Sequence, residues 1–266
     1  MRRPALALAL VSLALIALAA PAAQADFGIH DFDVTFSDAD GAAQPLAGSH
    51  PYAMRTSFAT NAIVVGKAKL PEGQLKDINV FQVPGFIGDQ TAMPRCSTRD
   101  FLTLVKATLS ACPNSTAVGI VRTTIATNNG DEVFFISPLF NLEPAPGEAA
   151  RLGFTVQSLP IPIDVALSES PPYNVVAQSH NISQVVEFLG AEVTLWGSPG
   201  DSRHDEERGA CTEGNSPPGS KCSAGISNVP FLTLPRACAG PLLTNYEVDS
   251  WQSPGAWLTG SAFTHD

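Results

Sequence analysis

Five cysteines, an acidic run around one histidine, and two tryptophans flanking a turn are the residues of this chain whose types and spacing could do chemistry. Cys96, Cys112, Cys211, Cys222 and Cys238 could form disulfides or hold zinc. No C-x-x-C spacing occurs and no histidine is suitably interleaved, so structural disulfides are the reading that the pattern supports. Cys96 and Cys112 are close in sequence and far from the others, which makes them one expected pair. Closing a loop of that size contributes about 3 kcal/mol by restricting the unfolded chain. Cys211, Cys222 and Cys238 should give one further pair and one thiol left over, with the partners open.

Asp201, His204, Asp205, Glu206 and Glu207 put oxygen ligands and an imidazole within one short stretch. Asp201, His204 and Asp205 are the weak metal candidates, because hard cations take carboxylate oxygens and imidazole suits transition metals. The spacing follows no metal-binding loop, so a solvated charged loop with no metal and no cofactor is expected. Asp38-Ala39-Asp40-Gly41 begins like a calcium loop but lacks the terminal Glu, and reads as a polar turn. No G-x-S-x-G elbow, H-E-x-x-H, P-loop or G-x-G-x-x-G is present. The histidines at 30, 50, 180, 204 and 265 are dispersed, so no nucleophile and base are picked out. No catalytic residue is assigned, and a non-enzymatic protein is expected. Trp251 and Trp257 flank Ser253-Pro254-Gly255, a turn that could display both rings to a sugar face or a protein partner, whereas Trp196 in an apolar context reads as core.

The elements that must position these residues read as short strands. Phe27 to Phe36 alternates apolar and polar side chains, the period of a half-buried strand. Similar runs follow at Tyr52 to Phe58, Asp77 to Val83, Ala117 to Ala126, Val133 to Leu142, Gly153 to Gln157, Ile163 to Leu167, Tyr173 to Gln178, Glu192 to Trp196, Phe231 to Leu234 and Leu243 to Asp249. With 22 Pro and 21 Gly between them, they predict a mainly β fold, an antiparallel β-sandwich of one or two domains. One helix is expected inside the Cys96 to Cys112 loop, where Ser97-Thr98-Arg99-Asp100 is a capping sequence and Phe101, Leu102, Leu104, Val105 and Leu109 follow at helical spacing. A second helical turn is expected from Ser183 to Leu189.

Arg2 and Arg3, the apolar run Ala5 to Ala20, and Ala23-Gln24-Ala25 make residues 1–25 a secretory signal peptide. The remaining stretch of roughly 240 residues suits one large β domain or two ordinary ones. Pro144-Ala145-Pro146-Gly147 suggests β-rich domains over 26–146 and 147–266, the second expected to be incomplete at its C-terminus, or else a tight crossover within one sandwich. The formal charge of −10 is scattered, without the clustered Lys and Arg that polyphosphate binding needs, so nucleic acid is not an expected partner. No second apolar run reaches the length of a membrane span, so no transmembrane segment is expected after the leader.

Gly48-Ser49-His50-Pro51-Tyr52-Ala53-Met54, Val83 through Asp89, Pro94-Arg95-Cys96-Ser97, Tyr173 through Ile182, Thr194-Leu195-Trp196-Gly197, and Phe231 through Pro235 followed by Cys238 and Gly240-Pro241-Leu242 span most of the chain. On these pieces the chain resembles an uncharacterised group of large secreted β-rich proteins from high-GC soil bacteria. The resemblance implies a multi-module secreted or surface protein without assigned activity, of which this chain corresponds to the N-terminal portion, with a downstream cysteine as partner for the odd thiol. The expected function is a secreted, non-enzymatic structural or adhesion module, extracellular or at the cell surface, whose ligand is open, with a surface glycan or another envelope protein as candidate partners. The alternative is a carbohydrate-binding module or glycoside hydrolase using Trp251, Trp257 and nearby carboxylates.

Overall fold

The computed structural model describes residues 27–237 and 240–264, so the leader, Cys238 and His265 lie outside the described residues. Eleven strands form one antiparallel sheet: β1 (Ile29–Ser37), β2 (Ala53–Thr60), β3 (Leu75–Phe81), β4 (Ala117–Ala126), β5 (Glu132–Leu142), β6 (Ala150–Val156), β7 (Leu159–Leu167), β8 (Val175–Ser179), β9 (Glu187–Trp196), β10 (Leu243–Ser250) and β11 (Ser253–Phe263). Their order across the sheet is β1-β2-β9-β4-β5-β6-β7-β8-β3-β10-β11. The fold is mainly β and antiparallel, as the strand pattern predicts.

Side chains two apart on a strand share a face. Leu152, Phe154 and Val156 on β6, Ile161 and Ile163 on β7, and Val193 and Leu195 on β9 all pack in or against one core, together with Val34 and Phe36 of β1. Strands distant in sheet order therefore meet across the interior. The two layers are halves of a single sheet folded over on itself. Its edge strands, β1 and β11, run close together, and the Phe32 ring of β1 lies 4.5 Å from that of Tyr246 on β10.

Strands from both sides of Pro144–Gly147 interleave in this sheet, and that segment joins β5 to its neighbour β6, where Phe140 pairs with Gly153. The segment is a strand connection rather than a linker between the 26–146 and 147–266 stretches.

One end of the fold is closed by loops. Val83, Phe86 and Met93 from one, and Phe231, Leu232 and Leu234 from another, are buried in the same core. Asn141 ties the first loop down by donating from Nδ2 to the carbonyls of Gln90, Met93 and Pro94 at 3.1–3.3 Å. Leu232–Thr233, the only paired part of the expected strand at Phe231 to Leu234, bonds to Ile87–Gly88 and so joins the two loops.

The helix α1 (Thr98–Leu102) sits inside the loop closed by the Cys96–Cys112 disulfide, capped by Ser97, whose Oγ accepts from the Asp100 N–H. It is shorter than the apolar spacing suggests. The Thr103 hydroxyl donates back to the Arg99 carbonyl, and Leu104–Lys106 then pairs with Leu109–Ser110. The stretch from Ser183 to Leu189 is not helical. Residues 184–185 turn, and β9 starts at Glu187, because Glu187 and Phe188 are claimed by ladder positions opposite Ala126 and Ile125.

Gly119 in β4 faces Leu195 of β9, where a Cβ would run into the Thr194 carbonyl. Overpacking of this kind costs about 1–3 kcal/mol. Gly119→Ala is accordingly expected to lower the melting temperature by several degrees. Gly88→Ala, where the nearest atom stands 4.0 Å away, should leave it unchanged; equal melting temperatures for the two variants in a thermal scan would contradict this account.

Candidate functional site

The inner faces of the folded sheet enclose a cavity. On β3 and just past it, Ile78, Val80 and Gln82 face inward at period two; Met54, Thr56 and Phe58 do so on β2, and Ala191, Val193 and Leu195 on β9. The inner chamber has a volume of about 140 Å³. A second chamber of about 470 Å³ adjoins it beneath the closing loops, and Met54, Gln82, Leu152, Ala177 and Leu195 line both. The outer chamber falls within the range of small-molecule sites, roughly 300–1,000 Å³. Among the described residues no Asp, Glu, Lys, Arg or His lines either chamber.

At the outer chamber Ile87, Leu167 and Tyr173 are 58%, 61% and 60% exposed, so the opening carries an apolar rim. An apolar void of about 140 Å³ forgoes on the order of 3 kcal/mol of packing. Apolar cavities of such size stay dry and take up apolar guests.

The tryptophan region is built differently. Trp257 does not sit on a displayed turn: it lies within β11, 41% exposed. Trp251 occupies the turn between β10 and β11, donates from Nε1 to the Ile182 carbonyl at 2.8 Å, and has the Lys76 ammonium 5.4 Å from its ring centre. Beside it, Asp77 and Asp249 face each other across β3 and β10, both buried. Asp249 accepts from the backbone N–H groups of Asp77 (3.1 Å) and Gly255 (2.6 Å). Asp77 accepts from the Asn181 N–H at 2.7 Å and from Lys76, with His180 Nδ1 at 3.5 Å. Burial pushes the Asp77 carboxyl up, but the Lys76 and Asn181 hydrogen bonds and the nearby charges outweigh it and hold the group below its ordinary range. Both carboxylates are thus occupied in fixing the β10–β11 hairpin and the 180–182 segment.

The acidic run belongs to a packed lobe in which His204 and Arg208 are buried, while Glu206 and Glu207 stay exposed, as a solvated loop would have them. The Cys211–Cys222 disulfide closes it, which settles the pair within the cluster of three cysteines. The buried His204 ring is stacked between Tyr52 (4.4 Å) and Trp196 (4.3 Å). Arg208, fully buried, donates from Nε to Asp205 at 3.2 Å and from its Nη2 to the Asp201 carbonyl at 3.0 Å. The Asp201 carboxylate is paired with Arg203, whose hydrogen bonds hold it at about 2 against the opposing effect of burial. Asp201, His204 and Asp205 therefore do not converge, and among the described residues no group of three or more His, Cys, Asp or Glu could hold a metal ion. Cys238 lies outside the described residues.

No family model, curated protein or solved structure matches this chain. The interior chambers are the site that the sequence reading missed. Its signal was present in the apolar alternation of several strands, but alternation marks a face and not a void.

Burial, aided by the charges of Arg208 and Arg203, pushes the His204 imidazole down to about 3. An unfolded histidine titrates near 6.5. Between those values the unfolded chain binds the extra proton, so this stabilisation is complete above about pH 6.5 and is lost as pH falls toward 3, by up to about 1.4 kcal/mol per pH unit. Urea unfolding at pH 7.5 and pH 5 should show that loss, and His204→Phe, which keeps the stack, should shrink it; an unchanged difference in the variant would count against a buried neutral imidazole.

Proposed function

We propose that this protein is an exported, non-enzymatic binding module that takes up an apolar ligand in the interior of its folded sheet. The observation that carries the reading is the pair of adjoining, uncharged chambers that share lining residues, one with an apolar rim. The leader sequence, the two disulfides and the resemblance to large secreted β-rich proteins support action outside the cell. Among the described residues no helix is long and apolar enough to cross a membrane. The structural or surface role expected from the sequence is kept, and the interior supplies the kind of ligand that the sequence left open.

The carbohydrate alternative draws less support. Trp251 is held by Ile182 and faced by Lys76, and the neighbouring carboxylates are engaged by backbone donors. Neither tryptophan lines a chamber.

Ala177 lines both chambers, and a larger side chain there would take up space in each. The oxidised protein should bind a neutral naphthylamine fluorophore saturably, one per chain. Ala177→Phe should weaken that binding at least tenfold while keeping or raising the melting temperature, because it fills a void rather than making one. Unsaturable fluorescence in the parent, or unchanged affinity in the folded variant, would count against interior binding.

A further inference from the structure

We infer that the ligand is a neutral amphiphile bearing a free hydroxyl, with its chain in the inner chamber and its hydroxyl on Gln82. This inference rests on the interior-binding reading above. Gln82 is 5% exposed and lines both chambers, and its Oε1 has no hydrogen-bond partner. A buried acceptor left unpaired is costly, and most such groups in folded proteins have partners.

Of the other polar side chains around the chambers, Thr123 also has a buried hydroxyl without a partner, at the inner chamber, whereas three are engaged. Gln178 donates to Asn79 Oδ1, Ser179 to the Pro162 carbonyl, and Asn174 to the Gln82 carbonyl. Within the outer chamber, Gln90 donates to the Ala149 carbonyl, which leaves its Oε1 as a second unpartnered acceptor. The two amide oxygens therefore ask for a donor, and the Thr123 hydroxyl can take either role. A hydroxyl supplies one, and because it also accepts, it suits the Gln82 amide in either orientation.

Charge decides against the anionic lipids. A carboxylate or phosphate entering a cavity without a cation or a set of donors meets a desolvation penalty that nothing offsets. Among the described residues no Lys, Arg or His lines either chamber. A plain hydrocarbon would fill the void but leave Gln82 as it stands. Long-chain alcohols, sterol-like alcohols and partial glycerides share the required chemistry, an uncharged apolar body with one hydroxyl end.

The test is displacement of N-phenyl-1-naphthylamine from the oxidised protein at pH 8 by decane, decanol and decanoate, with Gln82→Met as a near-isosteric variant. Without a partner for its hydroxyl, decanol would bind more weakly than decane, because the hydroxyl must be desolvated. Decanol is instead expected to displace the fluorophore about tenfold more effectively than decane or decanoate, the value of one hydrogen bond. In Gln82→Met that preference should disappear while the fluorophore still binds. Decane matching decanol, decanoate exceeding it, or a preference that survives the substitution would overturn the assignment and leave interior binding standing. Failure of the fluorophore and of all three competitors to bind would overturn interior binding itself.

Discussion

Everything in this molecule depends on a single sheet hiding one of its own faces. Among the described residues the other sheets are two-stranded and no helical layer covers the inner face of the eleven strands, so the sheet must fold until that face meets itself. Apolar alternation drives the folding, since each large aliphatic or aromatic side chain removed from water contributes about 1.5–3 kcal/mol. Contact between the far ends of the strand order completes it, with Phe32, Tyr246 and Val248 in one cluster. Width then has a consequence. A small closed sheet of about eight strands can fill its interior with side chains or hold one ligand, and wider ones enclose more space. Eleven strands enclose more than the loops around Phe86 and Leu232 can plug, and the chambers are the remainder.

The lobe closed by Cys211–Cys222 shows how a charged stretch becomes part of the core. His204 is gripped by Tyr52, just before β2, and by Trp196, at the end of β9, while Arg208 lies 5.2 Å from the Trp196 ring. Those strands are neighbours in the sheet, so the stack pins the lobe across their ends. The carboxylates of Asp201 and Asp205 answer the arginines that this packing buries or holds. Residues that look reactive when read along the chain act here as a clasp.

The strands were legible in the sequence where one face is buried. Ala117 to Ala126 has the predicted limits, and β1, β2, β5 and β10 lie within a few residues of theirs. The helix inside the Cys96–Cys112 loop was legible from its cap. Ser183 to Leu189 was misread because local spacing cannot register the ladder that claims Glu187 and Phe188. Strand β11 was hidden by Pro254, Gly255 and Gly260, and by an edge position that leaves it mostly exposed. Gly260 has a spatial reason, since the Tyr246 ring covers it. The Asp77–Asp249 pair and the chambers were beyond reach. The first joins residues far apart in the chain, and the second depends on how much volume the folded sheet leaves unfilled.

The void and the disulfides belong to one thermodynamic problem. Leaving the inner chamber unfilled by side chains forgoes on the order of 3 kcal/mol, a large share of the 5–15 kcal/mol by which domains are stable. A bridge such as Cys96–Cys112, closing a short loop, contributes about the same amount by restricting the unfolded chain. That bridge packs with Phe101, Phe140 and Trp196 in a separate cluster, none of whose residues lines a chamber, and Phe101 lies against Gly153 on the face of its strand opposite the chamber-lining Leu152 and Phe154. Covalent stabilisation outside the interior lets the interior stay open. A chain that had to draw all its stability from packing would be selected to fill the chambers, and the small residues Ala177 and Ala191 that keep them open would be the first positions to enlarge.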